Sequence, residues 1–71
     1  MTQYLLPRNT YIKRCVWDKG KWEILRVTKE ARYGDDDVLS ESSTQIVFSV
    51  PDKTYPLLLV EKASLLIKVD E

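Results

Sequence analysis

The chain has no histidine, one cysteine and two glycines in 71 residues, and its longest strictly apolar run is Leu57-Leu58-Leu59-Val60. Each shortage excludes something. Without histidine there is no imidazole base, no imidazole metal ligand and no triad built on either. A lone thiol, Cys15, cannot form an internal disulfide, which fits a reducing compartment. The start, Met1-Thr2-Gln3-Tyr4, shows no basic segment followed by an apolar one, so the expected location is cytoplasmic. Four apolar residues fall far short of the ~20 that cross a bilayer as a helix, and no membrane partner is expected. With only Gly20 and Gly34, no glycine-rich phosphate loop can be built.

What is present is ordinary in amount and unusual in arrangement. Hydrophobic residues make up 44% and charged residues 31%, the composition of a globular chain. The length predicts a single small domain, 1–71, close to the lower limit for a core held by apolar burial alone. Formal net charge is zero, yet residues 1–34 carry eight Lys/Arg against three Asp/Glu, and residues 35–71 carry the reverse. Two opposed halves can neutralise each other within the fold or face different partners.

The firmest local pattern is a hairpin. Tyr11–Trp17 and Trp22–Thr28 are rich in β-branched and aromatic residues and flank the turn composition Asp18-Lys19-Gly20-Lys21. A two-residue Lys19-Gly20 loop pairs Trp17 with Trp22 and puts both indoles on one face. A three-residue loop bulged at Gly20 pairs Trp17 with Lys21 and separates them. The bulged form is favoured because lysine suits the first position of a type I′ turn poorly.

Residues 29–44 are polar and read as one long loop, with a turn at Tyr33-Gly34-Asp35. Gln45–Val50 reads as a strand closed by the turn Pro51–Thr54. Leu57–Val60 and 64–69 read as two further strands joined by a tight turn at 61–63. The rival is one helix at about 56–67 packed on a three-stranded antiparallel sheet, an α+β arrangement. Alternation favours strands, and the predicted fold is all-β: a small five-stranded SH3-like barrel or sandwich.

Candidate chemistry is sparse. Of the neighbouring cations Lys13 and Arg14, only Lys13 shares the strand face of Cys15, so the thiol reads as buried and inert rather than as a nucleophile. Asp35, Asp36 and Asp37, with Glu41, lack the alternating spacing of a calcium loop. Tyr33-Gly34-Asp35-Asp36 coincides with a short motif of viral polymerases, whose palm domain cannot fit in this length. No catalytic residue, metal site or cofactor is assigned, and no enzymatic activity is expected.

The basic, aromatic hairpin remains. Tyr11, Lys13, Arg14, Lys19, Lys21 and Arg26, with the tryptophans, have the composition of a strand-based nucleic-acid surface. The pI of about 6.2 argues against this, since such domains typically lie above about 9. The leading expectation is a non-catalytic protein-interaction module, an accessory or inhibitory protein of the kind phages and mobile elements carry, docking on a larger protein. Trp17 or Trp22 would anchor it, Lys19 and Lys21 would rim the anchor, and Asp35, Asp36 and Asp37 would form a second patch. The alternatives are nucleic-acid binding through the hairpin and a homo-oligomer built on an edge strand.

Overall fold

The computed structural model describes residues 1–16 and 19–69. Among these, eight strands form: β1 (Thr2–Leu6), β2 (Tyr11–Val16), β3 (Lys21–Arg26), β4 (Ala31–Gly34), β5 (Val38–Glu41), β6 (Gln45–Ser49), β7 (Leu57–Glu61) and β8 (Leu66–Val69). They make two antiparallel sheets, ordered β4-β1-β8 and β3-β2-β7-β6-β5. The all-β class is as expected, with eight short strands in place of five. Over 56–67 the chain is β7, a 3-10 turn and the start of β8, so the helix alternative does not hold.

Two differences from the sequence reading have simple causes. The polar stretch 29–44 is not one loop, because it contains β4 and β5. Strands of four residues need few apolar positions, and Ala31, Tyr33 and Val38 suffice to pack these two onto the core. The N-terminal strand β1 was also not anticipated. Tyr4 and Leu6 are its buried positions, 6% and 0% exposed, but Leu5 between them blurs the alternation.

The chain passes between the sheets at tight corners. At Asp35–Asp37 a single 3-10 turn carries it from β4 to β5. There the Gly34 N–H donates to Asp37 Oδ2 and the Thr2 N–H donates to Asp35 Oδ2, both at 2.9 Å. Two of the three adjacent aspartates are thereby engaged as acceptors for backbone donors that would otherwise be unpaired. At Lys62–Ser64 the Lys62 N–H donates to Thr44 O, and its ammonium pairs with Glu41.

The β2–β3 hairpin closes differently from either expected register. Val16 pairs with Lys21 and Cys15 with Trp22, so four residues, 17–20, make the connection. The Gly20 N–H donates to Val16 O at 2.9 Å, and Gly20 sits at φ +59°. The extra residue lets glycine end the loop in the left-handed region, which a Cβ disfavours by roughly 1–2 kcal/mol. No heavy atom lies within 4 Å of the place a Cβ would occupy, so the penalty is conformational. Gly20→Ala is expected to lower stability by about 1 kcal/mol, read as a reduced urea midpoint at unchanged slope. An unchanged midpoint would contradict this loop geometry.

Tyr4, Leu6, Ile12, Ile46, Phe48, Val60 and Leu65 form one buried cluster drawing on both sheets. Phe48 is its centre. The Tyr33 ring stacks on it at 4.4 Å between centroids, and Tyr4 meets it edge-on at 5.4 Å. Burial raises the Tyr4 phenol above its ordinary value, with Glu41 and Asp35 adding to the effect; burial and then Asp37 raise Tyr33. In the unfolded chain both would ionise at the ordinary 10.0, whereas the folded state holds the proton longer. Their contribution is fully present below pH 10 and is lost as pH rises through the folded values. Stability is therefore expected to be level from neutral pH to about pH 10 and to fall above it. Tyr4→Phe should flatten that fall in urea unfolding; an identical slope would contradict the assignment.

Candidate functional site

Charge sorted along the sequence becomes charge sorted in space. The larger sheet runs β3-β2-β7-β6-β5, so the strands of the basic half lie together at one end and those of the acidic half at the other. The basic end is the hairpin.

Register decides which hairpin side chains share a face. Ile12 pairs with Leu25, Arg14 with Glu23 and Val16 with Lys21, and this face turns inward. Ile12 and Val16 are 4% and 8% exposed. The opposite face carries the pairs Tyr11 with Arg26, Lys13 with Ile24 and Cys15 with Trp22. Here Tyr11 is 66%, Ile24 71% and Trp22 46% exposed. Three large apolar side chains thus stand in solvent, interleaved with two cations.

The neighbouring strand completes the surface. Leu59 of β7 lies across from Lys13 on the same face. Ile24 and Leu59 border a shallow depression of about 160 Å³, with Tyr11, Lys13 and Glu61 at its sides. The Gln45 Nε2 donates to Glu61 Oε1 at 3.0 Å and holds that carboxylate in place. The depression is smaller than the roughly 300 Å³ at which small-molecule pockets begin, and is suited to one bulky side chain.

The residues singled out from sequence separate. Tyr11, Lys13, Trp22 and Arg26 come together on this face. Arg14 does not: it lies on the inward side, with its guanidinium 3.7 Å from the centre of the Tyr55 ring. Asp52 Oδ1 accepts from the N–H groups of Thr54 and Tyr55, a local turn that presents this ring. Lys21 pairs with Val16 and so projects opposite to Trp22, while Lys19 is exposed in the turn. Trp17 lies outside the described residues. Asp35, Asp36 and Asp37 belong to the β4–β5 corner, and β5 is the opposite edge of the sheet from β3. With Asp35 and Asp37 accepting backbone hydrogen bonds, Asp36 alone of the three has no such bond among the described contacts.

Ile24, Leu59 and Glu61 were missed. The signal available was an excess: the hairpin has apolar residues on both faces, more than one core can cover. Among the described residues no group of three or more Cys, Asp or Glu side chains could hold a metal ion. Among the described residues no helix is long and apolar enough to cross a membrane. No protein-family model, curated protein or solved structure matches this chain.

Proposed function

We propose that this protein is a non-catalytic interaction module, acting in the cytoplasm, that docks a larger protein through the outer face of the β2–β3 hairpin. The observation that supports this best is the exposed trio Tyr11, Trp22 and Ile24 around the Ile24–Leu59 depression. Interface anchors are large apolar or aromatic groups that fill or receive a single side chain, with charges at the rim. Lys13 and Arg26 supply that rim here, and they favour a partner that presents an apolar knob flanked by acidic residues.

Two details weigh against nucleic acid as the occupant of the same face. Its middle is aliphatic, and bases stack on π-faces that Ile24 and Leu59 lack. Glu61 stands at the side of the depression and repels phosphate. The competing reading keeps one point in its favour, because the strand order removes most acidic residues from the hairpin end.

Fluorescence anisotropy of labelled single- and double-stranded DNA and RNA separates the two. The expected result is no binding below about 100 μM at physiological salt, weaker than typical non-specific association. Micromolar binding that weakens steeply with salt would overturn the protein-docking reading.

A further inference from the structure

The two sheets have four edge strands, β3, β5, β4 and β8. Three of them are blunted. β3 carries Lys21, Glu23 and Arg26. β5 has a register break between Val38 and Ser40 and ends on Glu41. β4 carries Arg32 and turns directly into the Asp35–Asp37 corner. Charge, bulges and abrupt ends are the usual devices that stop a sheet edge from pairing.

β8 differs. All four of its residues are exposed, and three are apolar: Leu66 at 61%, Ile67 at 47% and Val69 at 65%. They occupy both faces. Ile67 pairs with the buried Tyr4 and Val69 with Thr2, so these two continue the core side of the smaller sheet past its edge. Leu66 pairs with Leu5 on the outer side, bordering a trough of about 660 Å³.

We infer that β8 is the contact strand of a two-fold homodimer, pairing antiparallel with β8 of a second copy to make one six-stranded sheet. The strand is complementary to itself with Ile67 at the centre. With Ile67 opposite Ile67 of the partner subunit, Lys68 meets Leu66 of the partner subunit rather than another lysine. Its aliphatic stem then covers that leucine beside the trough, and its ammonium stays in water. Shifting the centre to Lys68 would set lysine against lysine, which is unfavourable across strands, and shifting it to Leu66 would run Lys68 and Val69 past the strand onto the Lys62–Ser64 turn. A two-fold axis normal to the sheet keeps the faces matched, so the two Ile67 side chains extend both cores toward each other. Four residues per copy bury less than the roughly 800 Å² per partner of a stable interface, so the association is concentration-dependent. It uses a different surface from the hairpin and stands or falls separately from the docking function.

Sedimentation equilibrium over a wide concentration range tests it. The mass is expected to rise from 8.3 kDa toward its double, and Leu66→Lys with Val69→Lys should hold it at 8.3 kDa while the thermal transition persists. Ile24→Asp should leave the dimer unchanged. In a Cys15→Ser background, Ile67→Cys should cross-link to dimer under mild oxidation at least ten-fold faster than Ser43→Cys, whose parent residue sits in an exposed loop. This cross-link decides the matter if the double-lysine variant fails to fold. A monomer at every concentration, or a dimer indifferent to β8 whose Ile67→Cys form does not cross-link preferentially, would overturn the inference.

Discussion

Phe48→Ala is expected to destabilise the chain severely, with a large fall in its urea midpoint. Phe48 is wholly buried, and its ring is the surface against which Tyr4 and Tyr33 pack from the smaller sheet. Truncating a buried phenylalanine typically costs about 3–5 kcal/mol, the lost transfer energy plus the cavity left behind. A domain of this length has a total stability of about 4–11 kcal/mol at the usual stability per residue. The substitution therefore removes between about a quarter of that margin and all of it, at a ring that meets both tyrosines of the smaller sheet. Val47→Ala, one position along on the outward, half-buried side of β6, should cost only a fraction of that. Far-UV circular dichroism with urea unfolding reads both. A Phe48→Ala protein with a near-native midpoint would show that the sheets are not joined through this ring.

The second large effect is expected at Ile24. At 71% exposure it contributes little to the fold, so Ile24→Asp should unfold at nearly the native midpoint. It nevertheless borders the depression and sits between Tyr11 and Trp22 on the exposed face. An aspartate there removes the apolar contact and places a carboxylate beside a partner surface expected to be acidic. Losing an interface anchor costs at least about 2 kcal/mol, roughly 30-fold in affinity, and the new repulsion adds to it. Trp22→Ala should weaken binding in the same direction. Because Trp22 and Ile24 are neighbours on one strand face, the two losses should not simply add. An Ile24→Asp protein that binds as tightly as the native one would remove the hairpin face from consideration.

The parts of this fold that could be read from sequence are those where local chemistry and tertiary burial agree. The hairpin announced itself through Gly20 between two β-rich runs, and β6 through Gln45–Ser49, where the buried Ile46 and Phe48 alternate with outward residues. What escaped was set at long range. β1 becomes a strand because β4 and β8 flank it, and its own sequence leaves its buried face ambiguous at Leu5. β4 and β5 hide in a polar stretch because their pairing relies on backbone groups, with few apolar side chains to mark them. The hairpin register needed one more loop residue than the turn composition suggested, and that step fixed Trp22 beside Cys15 on the outer face. The aspartate run was legible as acidic but not as structural. Only the corner geometry shows Asp35 and Asp37 accepting the Thr2 and Gly34 N–H groups. Of the proposed site, the exposed aromatics and cations could be read from sequence, while its aliphatic centre, Ile24 with Leu59, depends on β7 lying beside β2.

The most direct test of the docking claim is a paired affinity capture read by quantitative mass spectrometry. Native protein and the Ile24→Asp variant, each shown to be folded, serve as baits in the same lysate, and the retained protein is then titrated against both in solution. One protein species is expected to be held by the native bait and at least about 30-fold more weakly by Ile24→Asp, with an acidic surface around an apolar contact. Equal retention by the two baits, or no protein retained by the native one, would contradict it.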